Sequence, residues 1–138
     1  MPLNWKQFEI LTKKIQQDLA PNAQVTHDEK IVGRSGVKHQ CDVVVRGNIG
    51  QYDFLIIMEC KDWPNKKVGT EVIRDLKGKL IDISATKGVV VSSKGFTNDA
   101  NILARSENIN LYTLFDAENV QWSDQALIPI VDSVKYYV

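Results

Sequence analysis

Apolar residues recur at two spacings along this chain, and each change of spacing marks an element. Trp5, Phe8, Leu11, Ile15 and Leu19 fall three or four positions apart, the period of one helical face. Asn4 followed by Gln7 fits a capping box, and Pro21 stops the run, so an amphipathic first helix is expected between them. Gln24 to Gly33 reads as a weak strand, and the two glycines of GRSGVKHQ, Gly33 and Gly36, predict a loop or bulge. Gln40 to Arg46 is a strong β-branched strand, GNIGQ a turn, and Tyr52 to Lys61 the returning strand.

The longer period then returns. Val68, Val72, Leu76, Leu80 and Ile83 mark a second helix, with Lys67, Arg74 and Lys77 largely off its apolar stripe. GVVVSS is a strand, Thr97 a helix cap, the residues to about Glu107 a third helix, and INLYTLF a last strand. This order predicts an α/β fold, a mixed central β-sheet flanked by helices on both faces. Repeats and linkers are absent from the sequence, so residues 1–138 are expected to form a single domain, its core at about 4–116 and a C-terminal tail at 117–138.

Composition narrows the function. Of the 138 residues, 43% are hydrophobic and 25% charged, the balance of an ordinary soluble domain. No apolar run approaches the roughly 20 residues that cross a bilayer, and the amino terminus does not fit a secretory signal, so a cytoplasmic protein without a membrane partner is expected. Cys41 and Cys60 are too few for a disulfide framework and read as buried apolar groups. His27 and His39 lack zinc-ligand spacing. The net charge is zero, yet residues 61–94 carry eight Lys or Arg against four acids, Asp62, Glu71, Asp75 and Asp82. Such a local excess supports phosphate binding without establishing it.

The chemistry concentrates in LIIMECKDW, residues 55–63. Strand alternation projects Leu55, Ile57, Glu59 and Lys61 to one face and Phe54, Ile56, Met58 and Cys60 to the other. On the preceding strand Gln40, Asp42 and Val44 share one face, and Cys41, Val43 and Val45 the other. If the turn is centred between Gly50 and Gln51, Asp42 lies opposite Glu59 and Gln40, Asp42, Glu59 and Lys61 converge; a two-residue slip would leave the two acids diagonal, and an odd loop with a bulge would upset the parity. Two carboxylates so placed repel each other, and a hard divalent cation, magnesium or manganese, relieves the repulsion. Lys61 beside it would orient or deprotonate an attacking water, or stabilise charge on a phosphate. The bland alternative is an ordinary ion pair between Glu59 and Lys61; the acid on the preceding strand and the helix that follows favour a metal-dependent phosphodiester hydrolysis site.

These residues resemble the PD-(D/E)XK nucleases, in particular the Mrr-like restriction endonuclease branch. The resemblance covers about Trp5 to Phe115 and rests on WKQFEILTKKI, HQCDVVV, LIIMECK and GVVVSSKGFTNDANILA. It implies a restriction endonuclease-like fold and a Mg2+-dependent DNA endonuclease, with Mn2+ as a substitute. Asp42, Glu59 and the backbone carbonyl of Cys60 would hold the metal, and Lys61 would be the catalytic lysine. Glu9 matches an acid many members carry on the first helix, and Gln40 would line the site. Cys41 stands where the superfamily name has proline, and Glu59 where Mrr-like sequences often have Gln. The separate DNA-reading domain of full-length restriction enzymes is not represented in this sequence, so a separate specificity subunit or domain would select the target.

Lys66, Lys67, Arg74, Lys77 and Lys94 are candidate phosphate contacts on duplex DNA, and Ser92, Ser93 and Thr97 candidate hydroxyl or N–H donors. Double-strand cleavage would require a homodimer, to which the apolar tail points. The competing readings are a non-catalytic DNA- or protein-binding module of the same fold, and a nuclease acting on branched DNA or RNA. An intact set of Asp42, Glu59 and Lys61 argues against the first.

Overall fold

The computed structural model describes residues 10, 11, 14, 18, 23–63 and 65–113. Five strands form one sheet in sequential order: β1 (Ala23–Val32), β2 (Lys38–Ile49), β3 (Tyr52–Lys61), β4 (Lys87–Ser92) and β5 (Ile109–Thr113). Strands β1, β2 and β3 pair antiparallel; β3, β4 and β5 pair parallel. The parallel connections run through α1 (Thr70–Ile83) and α2 (Asn98–Ser106). Of the expected first helix, Ile10, Leu11, Lys14 and Asp18 are described and are helical, with Lys14 bonded to Asp18 one turn on at 3.0 Å. The remainder of that stretch and the tail lie outside the described residues.

The middle of the sheet is apolar on both faces because both are covered. On one face Leu11 packs with Val43, Val45, Phe54, Ile56, Met58, Cys60, Val89 and Val91. On the other, Cys41, Val44, Ile57 and Val90 lie under the stripe Val72, Ile73, Leu76 and Leu80 of α1 and Ala100 and Ala104 of α2. Each fully buried aliphatic side chain here contributes about 1.5–3 kcal/mol, and Gly88 lets α1 approach β4 closely.

The β2–β3 hairpin is longer and its turn tighter than GNIGQ suggests. Pairing continues through Asn48↔Asp53 and Ile49↔Tyr52, leaving only Gly50 and Gln51 in the turn. Gly50 has φ 62, which a type II′ turn needs at its first central position. The pair Val43↔Met58 shares the turn centre between Gly50 and Gln51. The second helix also starts later than its apolar stripe: Val68 lies in an isolated bridge with Phe96. Val68 N–H donates to the Gly95 carbonyl at 3.0 Å and Thr97 N–H to the Val68 carbonyl at 2.9 Å, so the approaches to both helices are joined beside the carboxyl ends of β3 and β4.

One expected alternation fails. Cys41 packs on the α1 side with Val44, whereas Val43 and Val45 pack on the opposite side, so the period of two slips around Asp42. The slip coincides with Asp28 on β1, whose φ of 58 is left-handed and which stands between the pairs His27↔Val43 and Glu29↔Cys41. An aspartate tolerates that conformation.

Candidate active site

Strand β3 is apolar from Phe54 to Met58 and then carries Glu59 and Lys61 at its carboxyl end. Glu59 and Lys61, on the α1 side by alternation, line a cavity of about 170 Å³ with Val72, Asp75, Leu76 and Lys79 of α1. The apolar wall comes from the buried stripe of α1, and the polar groups come from the strand end and from the helix positions bordering that stripe. The Glu59 side chain is only 12% exposed, which makes its charge costly unless a cation compensates it.

Asp42 reaches this point from β2. Its Oδ2 accepts the backbone N–H of Cys60 at 2.8 Å, which fastens the carboxylate beside the residue between Glu59 and Lys61. In a β-strand the N–H and C=O of one residue face the same edge, so the Cys60 carbonyl faces the side from which Asp42 comes. Burial pushes the Glu59 carboxyl above the usual carboxylate range, against the pull of Lys79, and the Asp42 charge pushes it up further. Burial likewise raises the Cys60 thiol, with Asp42 and Glu59 adding to it. Cys60 is thus a protonated apolar filler whose useful group is its backbone.

The donor set suits a hard cation: two carboxylates and a backbone carbonyl, all oxygen, with a cavity alongside for waters and phosphate. Among the described residues no cluster of three or more His, Cys, Asp or Glu forms, so an all-carboxylate cage is not built there. Magnesium needs only one or two carboxylates and completes its shell with water and substrate. The residues present fit such an ion.

A residue the sequence reading missed sits at the centre. Lys79 Nζ is paired with Glu59 Oε1 and also donates to the Gln40 carbonyl at 2.5 Å. Its side chain is 17% exposed. The available signal was a lysine three residues after Leu76 and seven after Val72, along the edge of an otherwise apolar stripe. Nothing in the sequence alone says what that edge faces.

The other expected residues are dispersed. The Gln40 side chain turns to β1, donating to Asp28 Oδ1 at 2.6 Å, so at this site Gln40 offers its carbonyl. Lys61 Nζ stands 5.9 Å from the centroid of the Trp63 ring, and Lys66 Nζ lies over the same ring at 4.3 Å. Lys67, Arg74 and Lys94 are exposed. Lys77, two residues from Lys79 and so on a different side of α1, pairs with Glu107 at 3.3 Å. Ser92 Oγ is engaged by its own loop, donating to the Gly95 carbonyl and accepting from Lys94 and Gly95 N–H. Thr97 Oγ1 caps α2 by accepting Ala100 N–H at 3.1 Å. Ser93 differs: its N–H donates to the Lys61 carbonyl at 3.1 Å, and its buried hydroxyl has no hydrogen-bond partner among the described residues. Glu9 lies outside the described residues.

A clamp away from the cavity fixes how α1 meets β2. Asp82, at the end of α1, accepts Ser35 N–H at 2.9 Å and Ser35 Oγ–H at 2.6 Å, and lies 2.7 Å from His39 Nε2. Arg34 N–H donates to the Asp82 carbonyl at 2.8 Å. Those bonds from Ser35 and His39 hold the Asp82 carboxyl down at about 2. The β1–β2 loop is therefore tied to α1 three residues beyond Lys79.

Solved structures share this fold at low sequence identity. The protein of unknown function AF1548 superposes with a TM-score of 0.63 at 16% identity, over 78% of this chain and 57% of its own. VC1899 from Vibrio cholerae gives 0.62 at 16% identity, over 87% of this chain and 31% of its own. The MspJI restriction endonuclease, in complex with a 27-mer oligonucleotide, gives 0.54 at 17% identity, over 95% of this chain and 31% of its own. This chain thus spans little more than half of AF1548 and under a third of the other two. No curated protein matches it by sequence. Residues 2–120 match the Mrr_cat restriction endonuclease family, and the chain belongs to that family.

Proposed function

We propose that this chain is a divalent-metal-dependent DNA endonuclease whose ion is held by Asp42, Glu59 and the Cys60 carbonyl, with Mg2+ as the natural ion and Mn2+ as a substitute. The observation that carries the reading is the meeting of Glu59 and Lys61 in one cavity at the end of β3, with Asp42 bonded to the residue between them. Bound there, the ion would supply Lewis-acid stabilisation of charge on the scissile phosphate. Lys61, at the strand end with its ammonium 5.9 Å from the centre of the Trp63 ring, would orient the attacking water or meet a phosphate oxygen as a point charge. Lys66, Lys67, Arg74 and Lys94 would position the DNA backbone without reading bases.

Membership of a restriction endonuclease family supports DNA hydrolysis, and the oligonucleotide held by MspJI, which shares the fold, accords with a nucleic-acid substrate. Among the described residues no helix is long and apolar enough to cross a membrane, which accords with action on DNA in the cytoplasm. One active site cuts one strand, so two copies would act together on a duplex, and a further domain or subunit would choose the sequence.

The test is nicking of supercoiled and linear DNA by the purified protein and by Lys61→Ala, with magnesium and with chelator. Cleavage that requires magnesium and is lost in Lys61→Ala is the expected result. Cleavage that survives in the variant refutes the role of Lys61, and DNA binding with no turnover under any metal replaces the enzyme reading with a binding module.

A further inference from the structure

We propose that Lys79 is a positioning residue that holds the Glu59 carboxylate and competes with the divalent cation for it, so that loading the metal is an exchange of cations. The inference rests on the metal-site reading above and adds to it a residue on α1.

Three features support an exchange. Lys79 contacts the same carboxylate that the ion would use, through Glu59 Oε1. A hard ion binds carboxylate oxygen at about 2.0–2.1 Å, and an ammonium on that carboxylate both blocks approach and repels a like charge. The pair is also well sheltered, so the repulsion is not screened as it would be at a bare surface. Finally, Lys79 has other partners within reach. It is bonded to the Gln40 carbonyl at 2.5 Å, and Asp75, one helical turn earlier, lines the same cavity. The ammonium can give up Glu59 without becoming a buried, unpaired charge.

The arrangement keeps Glu59 in the cavity in a defined position before a metal arrives. A buried carboxylate without a counter-ion would take up a proton or turn away. Holding it with lysine preserves the ligand at the expense of affinity for the ion. Lys79 therefore acts through Glu59, as a positioning residue.

The test is Mn2+ binding to the full chain, followed by calorimetry and by the electron paramagnetic resonance signal of free Mn2+, for wild type, Lys79→Met, Lys79→Arg and Glu59→Gln. Lys79→Met should bind Mn2+ roughly tenfold or more tighter, Lys79→Arg should return close to wild type because the positive charge is restored, and Glu59→Gln should bind much more weakly. A purely structural lysine would not give that pattern, since loss of packing weakens a site. Circular dichroism checks the fold, and Lys79→Gln carries the comparison where Lys79→Met does not fold. Unchanged or weaker Mn2+ binding in the neutral variants, with Glu59→Gln still impaired, overturns the exchange while leaving the metal site intact. Mn2+ binding unaffected by Glu59→Gln overturns the metal-site reading itself.

Discussion

Asp42 Oδ2 accepts the backbone N–H of Cys60 at 2.8 Å, so one carboxylate has two duties, a ladder bond through one oxygen and a candidate metal ligand through the other. The two duties separate by substitution. Asp42→Asn keeps an oxygen that can accept the N–H and should unfold in urea close to wild type, while losing Mn2+ affinity and nicking. Asp42→Ala leaves a buried donor unmet and should cost about 1–3 kcal/mol. Equal stability of the two variants would mean that this bond carries no weight.

The clamp at the end of α1 leaves no room at Gly33. A Cβ there would stand 1.9 Å from Asp82 Oδ2, and that oxygen cannot swing aside without giving up Ser35 and His39. Gly33→Ala is expected to destabilise by about 1–3 kcal/mol. In the Asp82→Ala background the same change should cost much less, because the clamp and the two closest contacts have gone and only a contact of 3.2 Å with the residue-82 Cβ remains. Additive losses in a double-mutant cycle of thermal midpoints would refute this account.

Acid should loosen the outer strands before the core. Arg46 binds Glu29 in two places, one bond being 2.7 Å, and with Thr26 it holds the Glu29 carboxyl at about 2, against an ordinary value of 4.5. Since the folded value is depressed, the pair's contribution is whole above pH 4.5 and fades as pH falls toward 2. Asp82, also near 2, loses its contribution in a similar range. Urea midpoints measured from pH 6 downward should therefore fall less steeply in Glu29→Gln than in wild type. An unchanged slope would count against the pair.

Gly88 is where α1 rests on β4. A Cβ would approach Leu80 Cδ1 to 2.7 Å and Leu76 Cδ2 to 3.1 Å, so Gly88→Ala overpacks a dense contact and should cost about 1–3 kcal/mol. Pairing it with Leu80→Ala should recover part of that loss relative to the sum of the single variants. Chemical denaturation of the three variants checks it.

Much of this was legible in the chain. The run Phe54 to Cys60 alternates between two covered faces, and a strand buried on both sides shows itself through continuous apolar residues. Gly50 made one turn centre favourable, because a left-handed residue in a two-residue hairpin favours glycine, and the observed pairing takes it. From that centre the positions of Glu59 and Lys61 followed by counting. The Thr97 cap was equally visible, yet its hydroxyl is occupied by that very role, as the Ser92 hydroxyl is by its loop. A polar residue's local duty can thus remove it from the list of groups free to meet a ligand.

Sequence by itself determined the strands, the helices after β3 and the common face of Glu59 and Lys61, while the β2–β3 register was settled only by the observed pairing. These depend on side-chain period and turn chemistry, which are properties of neighbouring residues. Tertiary structure alone decided that Asp42 leaves strict alternation to bond Cys60, that Gln40 turns away, and that Lys79 meets Glu59 across 20 residues of chain. The physical reason is that a charged side chain on a helix has many partners within reach of its stem. Which one it takes is fixed only when the helix is docked, here by apolar burial under Leu76 and Leu80 and by the hydrogen bond that Ser35 N–H donates to Asp82, 47 residues away.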